Sequence, residues 1–136
     1  MYERFEHTAD LGLRVRATDL DSLFAEAARG LFSVIVDDLE RVQPTHQWEI
    51  QQKKEIAEDQ LFDWLNELLF RFETQHLLFC KFAVHLTNKG LDAVAWGEEL
   101  DESRHSLNHE VKAITYHGLK VKEESDGWLA EVIVDI

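Results

Sequence analysis

Between residues 20 and 35 the apolar side chains Leu20, Leu23, Phe24, Ala27, Ala28, Leu31, Phe32 and Ile35 recur at intervals of three and four. At 3.6 residues per turn this spacing gathers them on one stripe, so the segment predicts a helix with a single face against a core. Thr18, with Asp21 three residues later, predicts its cap, and Asp37-Asp38 its end. A second stripe, Leu61, Trp64, Leu65, Leu68, Leu69 and Phe72, follows Glu58 and Asp59, acids suited to the positive end of a helix dipole. Phe62 and Phe70 widen it, which implies burial on more than one side. Two such stripes need a surface to lie on.

That surface is predicted as strands. From Arg4 to Ala17 one strand is expected, its second half alternating Leu11, Leu13, Val15 and Ala17 with Gly12, Arg14 and Arg16. A weaker strand is expected over Gln47 to Ile56, with Trp48 and Ile50 on one side. Leu77 to Leu86 and Leu91 to Trp96 read as a hairpin joined by Thr87-Asn88-Lys89-Gly90. After a polar loop from Gly97 to His109 come Val111 to Glu123 and the closing strand Trp128 to Ile136, linked by the turn Ser125-Asp126-Gly127. The order is β-α-β-α-β-β-β-β. Strands grouped after the second helix favour the α+β class: a mixed or antiparallel sheet of about six strands with two amphipathic helices packed on it. With one Pro, no repeat and no linker-like run, residues 1–136 read as a single domain.

Composition narrows the function classes. The 136 residues carry 14 Lys plus Arg against 27 Asp plus Glu, a formal charge of −13. Acid exceeds base in every third of the chain, and no basic cluster is longer than Lys53-Lys54. Autonomous grip on RNA or DNA relies on neutralising phosphates, so nucleic-acid binding without a partner is not expected, nor is docking on an anionic membrane. A basic protein partner or a bound cation fits this charge better. The lone Cys80 rules out an internal disulfide and lies in an apolar strand, where a thiol is usually inert. The N-terminal residues lack a basic-then-apolar signal pattern, and the apolar runs Leu31 to Val36 and Leu77 to Cys80 are too short to span a bilayer. The expectation is a soluble, cytoplasmic protein.

Familiar catalytic signatures are missing. The six glycines form neither a GxxxxGK[ST] loop nor a GxGxxG turn, and no GxSxG elbow occurs. His105 and His109 are spaced i, i+4, but no HExxH glutamate stands between them, and they read as solvated loop histidines. The ends of the chain are more suggestive. If the first and last strands are neighbours, Asp10, Asp135 and the α-carboxylate of Ile136 converge. Packed anions repel, and a cation relieves them; oxygen ligands select a hard ion such as Ca2+ or Mg2+ over Zn2+. Penultimate acids and strand-end aspartates are equally common in chains that bind nothing, so these residues alone leave both readings open. His7 is placed either to orient Asp10 or simply to be half buried, and His117 to pack or to donate a hydrogen bond. Lys112, in an acidic third of the chain, is either a surface ion pair or a point charge for a phosphate or a partner's acid.

Three segments in order, Phe5-Glu6-His7-Thr8-Ala9-Asp10-Leu11-Gly12-Leu13, Lys112-Ala113-Ile114-Thr115-Tyr116-His117-Gly118-Leu119 and Val134-Asp135-Ile136, resemble the archease family. Gly97-Glu98, Asp101 and Arg104-His105 resemble the family's loop before the second segment, and the motifs depart from the pattern only by conservative apolar swaps such as Leu11, Leu13 and Ile114. The resemblance implies a small α+β accessory protein of the RtcB-type RNA ligase in tRNA splicing and RNA repair. Such proteins promote guanylylation of the ligase and its multiple turnover, and are not enzymes themselves. It implies a divalent cation, Ca2+ first with Mg2+ or Mn2+ as alternatives, at Asp10, Asp135 and Ile136. Lys112 matches a functionally important position, with His7 and His117 as outlying candidates around the metal. Two other classes stand beside this one: a general chaperone or interaction module without metal, and a free-standing metal-dependent hydrolase using His7, Asp10 and His117.

Overall fold

The alternating segment expected as one strand from Arg4 to Ala17 folds back on itself. In the computed structural model, which describes residues 1–7 and 10–136 and leaves the side chains of Glu6 and His7 aside, β1 (Tyr2–His7) and β2 (Asp10–Ala17) are an antiparallel pair. Thr8 and Ala9, within that expected strand, lie outside the described residues. The hairpin escaped the sequence pattern because no Gly, Pro or Asn separates His7 from Asp10. Then follow α1 (Leu20–Ile35), a 3-10 turn (Leu39–Arg41), β3 (His46–Gln52), α2 (Ala57–Gln75), β4 (Leu77–Thr87), β5 (Gly90–Glu99), β6 (Ala113–Glu124) and β7 (Gly127–Asp135). The class is α+β. Among the described residues seven strands form two sheets rather than one, ordered β1-β2-β7-β6 and β3-β5-β4, and every pairing is antiparallel.

Both helices bridge the two sheets. α1 packs on β4 and on β2, and α2 runs along β6 and reaches β3, β4 and β5. The α1 stripe is buried as expected at Leu23, Phe24, Ala27, Ala28, Leu31, Phe32 and Ile35, with Leu20 half-buried at its start. Its cap differs from expectation. Asp19, not Thr18, is the N-cap, and its carboxylate accepts the Ser22 N–H at 2.8 Å. A carboxylate also meets the helix dipole, which a hydroxyl does not.

Aromatic side chains join the layers. Phe32 meets Phe79 edge-on at 5.5 Å, and Trp64 meets Phe82 edge-on at 5.8 Å. The buried Trp64 indole donates to the Phe24 carbonyl at 3.0 Å, so the largest core side chain carries no unmet donor. Gln60, also buried, donates to the Lys54 and Thr87 carbonyls at 2.8 and 3.1 Å, fixing the start of α2 to the β4–β5 hairpin. The expected widening of the α2 stripe holds only in part. Phe62 is half-buried, whereas Phe70 is 56% exposed, on the side of the helix opposite the stripe. Cys80 sits where the β4–β5 register shifts, and a Cβ at Gly97 would overlap the Leu78 carbonyl oxygen across that bulge. Among the described residues, no helix is long and apolar enough to cross a membrane.

Phe24 has no exposed surface, so Phe24→Ala should lower the unfolding free energy by about 3–5 kcal/mol. Phe70→Ala should change it by less than about 0.5 kcal/mol. Urea denaturation of the two variants checks the buried face of α1 and the exposed face of α2.

Candidate functional site

The β2–β7 pairing brings the two ends of the sequence together. Asp10 opens β2, Asp135 closes β7, and in the antiparallel register they stand directly opposite each other. The row continues on both sides, with His7 of β1 facing Asp10 and Ala113 of β6 facing Asp135. Leu13 and Val15 of β2 and Val132 and Val134 of β7 have no exposed surface and face the helices. Alternation therefore puts Asp10 and Asp135 on the sheet's outer face. Directly opposed residues hold their Cβ atoms about 4.5–5.5 Å apart, close enough for the two carboxylates to repel. Ile136 continues the alternation inward, half-buried against the core, which fixes the backbone beside Asp135.

The neighbouring rows of this face satisfy their own charges. The Phe5 ring covers Gly12, where any Cβ would overlap it, and the Arg14 guanidinium lies 4.6 Å from the centre of that ring. Arg14 also bonds Glu131 at 2.8 Å, and Lys120 reaches the same carboxylate at 3.2 Å. Burial pushes the Glu131 carboxyl up, but the bonds from Lys120 and Arg14 outweigh it and hold the group below the usual range. Asp10 and Asp135, by contrast, make no ion pair among the described residues. Also among these residues, no three side chains of His, Cys, Asp or Glu are grouped to hold a metal. Two opposed carboxylates offer only oxygen, the ligand that suits a hard cation.

Lys112 comes to the same place through its backbone. Its N–H donates to the Asp135 carbonyl at 2.7 Å, and the side chain is exposed. His117 lies elsewhere on β6, in a bulge where residues 116–119 lose register with β7 and Gly118 takes a φ of +77°. It is exposed and stands apart from the Asp10–Asp135 row. The same bulge carries Tyr116 over the start of α2. Its hydroxyl donates to Asp59 at 2.6 Å and its ring meets Phe62 edge-on at 5.1 Å.

A second cluster sits at the end of β5, and it corrects the expectation of solvated loop histidines. The imidazole of His105 is 1% exposed. The Asp101 N–H donates to its Nδ1 at 3.0 Å, so the ring proton is on Nε2, which donates to Glu98 at 2.9 Å. Glu98 also accepts from the Gln43 N–H at 2.8 Å and from Arg104. Both ring nitrogens are thus engaged within the protein, which is why His105 is buried. His109 is half-buried and donates its N–H to the Val34 carbonyl at 3.0 Å. Sequence spacing gives no sign of this network, because its members come from a polar loop and a strand end. Burial raises the Glu98 pKa, but Arg104, the Gln43 N–H and His105 prevail and bring it from 4.5 to about 2.

With the geometry in place, comparison with known proteins is decisive. The profile of the archease protein family (MTH1598/TM1083) matches residues 2–136. The chain belongs to the archease family. Archeases from Methanopyrus kandleri and Pyrococcus abyssi are 41% and 39% identical to it, each over 99% of this chain and 99% and 98% of their own. The solution structure of protein 1598 from Methanobacterium thermoautotrophicum superposes with a TM-score of 0.87 at 35% identity, covering 99% of this chain and 98% of that one. The crystal structure of a Thermotoga maritima protein described as an archease, possible chaperone, shares the fold with a TM-score of 0.66 at 22% identity, over 100% and 98% of the two chains.

A carboxylate whose folded-state pKa is depressed stabilises the fold above its unfolded pKa and loses that contribution as pH falls through the folded value. For Glu98 the window runs from 4.5 down to about 2, and the contribution is on the order of 3 kcal/mol. Glu98→Gln should therefore unfold at lower urea than the parent protein at neutral pH. The gap between the two should close as pH falls through that window.

Proposed function

We propose that this archease is an accessory factor of an RtcB-type RNA ligase, promoting guanylylation of the ligase and its multiple turnover. Asp10, Asp135 and the Ile136 carboxylate would hold a divalent cation, with Ca2+ the first choice. The observation that carries this reading is the register that sets Asp10 opposite Asp135 at the sheet's end, beside Ile136. Two like charges directly opposed across a strand pair destabilise the pairing unless something neutralises them. The family membership supports the partner, and the charge of −13 suits docking on a protein that is itself basic enough to hold RNA.

The chain's own residues supply the arrangement. Asp10 and Asp135 contribute oxygens from two adjacent strands, so the site exists only when β2 and β7 are paired. The half-buried Ile136 side chain, packed against the core, would keep its carboxylate beside them. Lys112, exposed and anchored by its own N–H on the Asp135 carbonyl, would meet a phosphate or an acid of the partner. When bound, the cation supplies a fixed positive charge for phosphate oxygens.

Asp10→Ala and Asp135→Ala should remain folded, lose Ca2+ binding by calorimetry, and reduce stimulation of ligase guanylylation at least about tenfold, the loss expected when one ligand of a carboxylate site is removed. A residue appended after Ile136 should weaken Ca2+ binding in the same way. Folded Asp10→Ala and Asp135→Ala proteins that stimulate the ligase in full would discard this reading.

A further inference from the structure

Lys112 stands at the end of a segment that has almost no regular structure, and its position is set by a chain of tertiary bonds. The segment starts from the Glu98 network, where the Asp101 carbonyl accepts the Arg104 and His105 N–H groups and the Asp101 carboxylate accepts from Ser103. It then closes the end of α1. Asn108 and His109 donate to the Ile35 and Val34 carbonyls at 2.8 and 3.0 Å, two of the carbonyls that a helix end leaves without partners. The Asp37 N–H bonds the Ser106 carbonyl at 2.8 Å, and Leu107 bridges Val36. Val111 is buried, and Lys112 then bonds Asp135.

We propose that Glu98 is the positioning residue of this strap, fixing through His105 and Arg104 the course of residues 101–112 and with it the place of Lys112 beside Asp10 and Asp135. The chemistry at Glu98 explains why this anchor governs the others. Its carboxylate is the shared acceptor for three donors from two different stretches of chain, Gln43 on one side and Arg104 and His105 on the other. The Gln43 N–H and His105 Nε2 share Oε2 while Arg104 holds Oε1, so in Glu98→Gln an amide oxygen can keep the first two donors only by turning the new NH2 onto the Arg104 guanidinium, and both that bond and the ion pair are lost. The bonds at α1 and at Asp135 are backbone bonds of a loop, each worth little alone, and they follow wherever the first turn leads. The functional part of the proposal rests on the role given above to Lys112, while the positional part does not.

The experiment separates the two. Amide hydrogen exchange is measured on the Glu98→Gln protein and on Arg104→Gln, which removes the more exposed partner and keeps a folded variant available. Exchange at Asn108, His109 and Lys112 should quicken at least about tenfold, while Leu13 and Val132 of the β2–β7 pair keep their protection. Unchanged exchange at Lys112 in either folded variant, or equal loss in β2 and β7, overturns the positioning role whatever the ligase assay shows. In guanylylation assays, Glu98→Gln combined with Lys112→Ala should stimulate no less than Lys112→Ala alone, since a residue acting through Lys112 has nothing left to position. Additive losses overturn the coupling. Full stimulation by Lys112→Ala defeats the role of Lys112 itself, and the exchange data then decide the positional claim by themselves.

Discussion

The antiparallel pairing of β2 with β7 is the constraint on which the candidate site depends. These are the two central strands of their sheet, and their inward side chains are all apolar: Leu13, Val15, Ala130, Val132 and Val134 have no exposed surface. A slip of one residue in the register would turn that face to solvent and the charged face to the core, so the core itself fixes the register. The same register sets Asp10 against Asp135. The fold thus holds two acids together with hydrophobic burial elsewhere along the strands, and their juxtaposition results from packing in which they have no direct part.

Charge is handled differently at the three places where this acidic chain concentrates it. Around Arg14 the outer face neutralises itself, with Glu3, Glu131 and Lys120 in one patch. At Glu98 burial is offset by Arg104, His105 and a backbone N–H, and the result ties the end of β5 to the loop that follows. At the Asp10–Asp135 row no cation stands among the described ion pairs, while an exposed Lys112 is held alongside by its backbone. The first two places are closed within the chain. The third is the one suited to something from outside it.

The loop between β5 and β6 serves this contrast. It covers the end of α1, giving the Val34 and Ile35 carbonyls the donors that the helix cannot provide, and it delivers Lys112 to the sheet's end. One segment therefore contributes both to the stability of the first helix and to the geometry of the proposed site.

The sequence by itself determined the parts that depend on local period. Both helical stripes, the β4–β5 hairpin with its turn, the closing β6–β7 pair and the α+β class follow from spacing, because burying an apolar face requires a period of 3.6 or 2 whatever the partner. The convergence of Asp10 with Asp135 was legible only as a condition, since strand adjacency is set by which faces pack and not by any residue at either end. What the tertiary structure alone decided has a common cause. The β1–β2 fold-back lacks a turn signature, the outward side of α2 at Phe70 is chosen by where β6 lies, and the burial of His105 comes from Glu98 and Gln43 arriving from distant stretches of chain. Each is set by contacts outside the local period, short-range at the β1–β2 turn and at Glu98–His105 and long-range at α2 and Gln43–Glu98, and no periodicity along the chain encodes it.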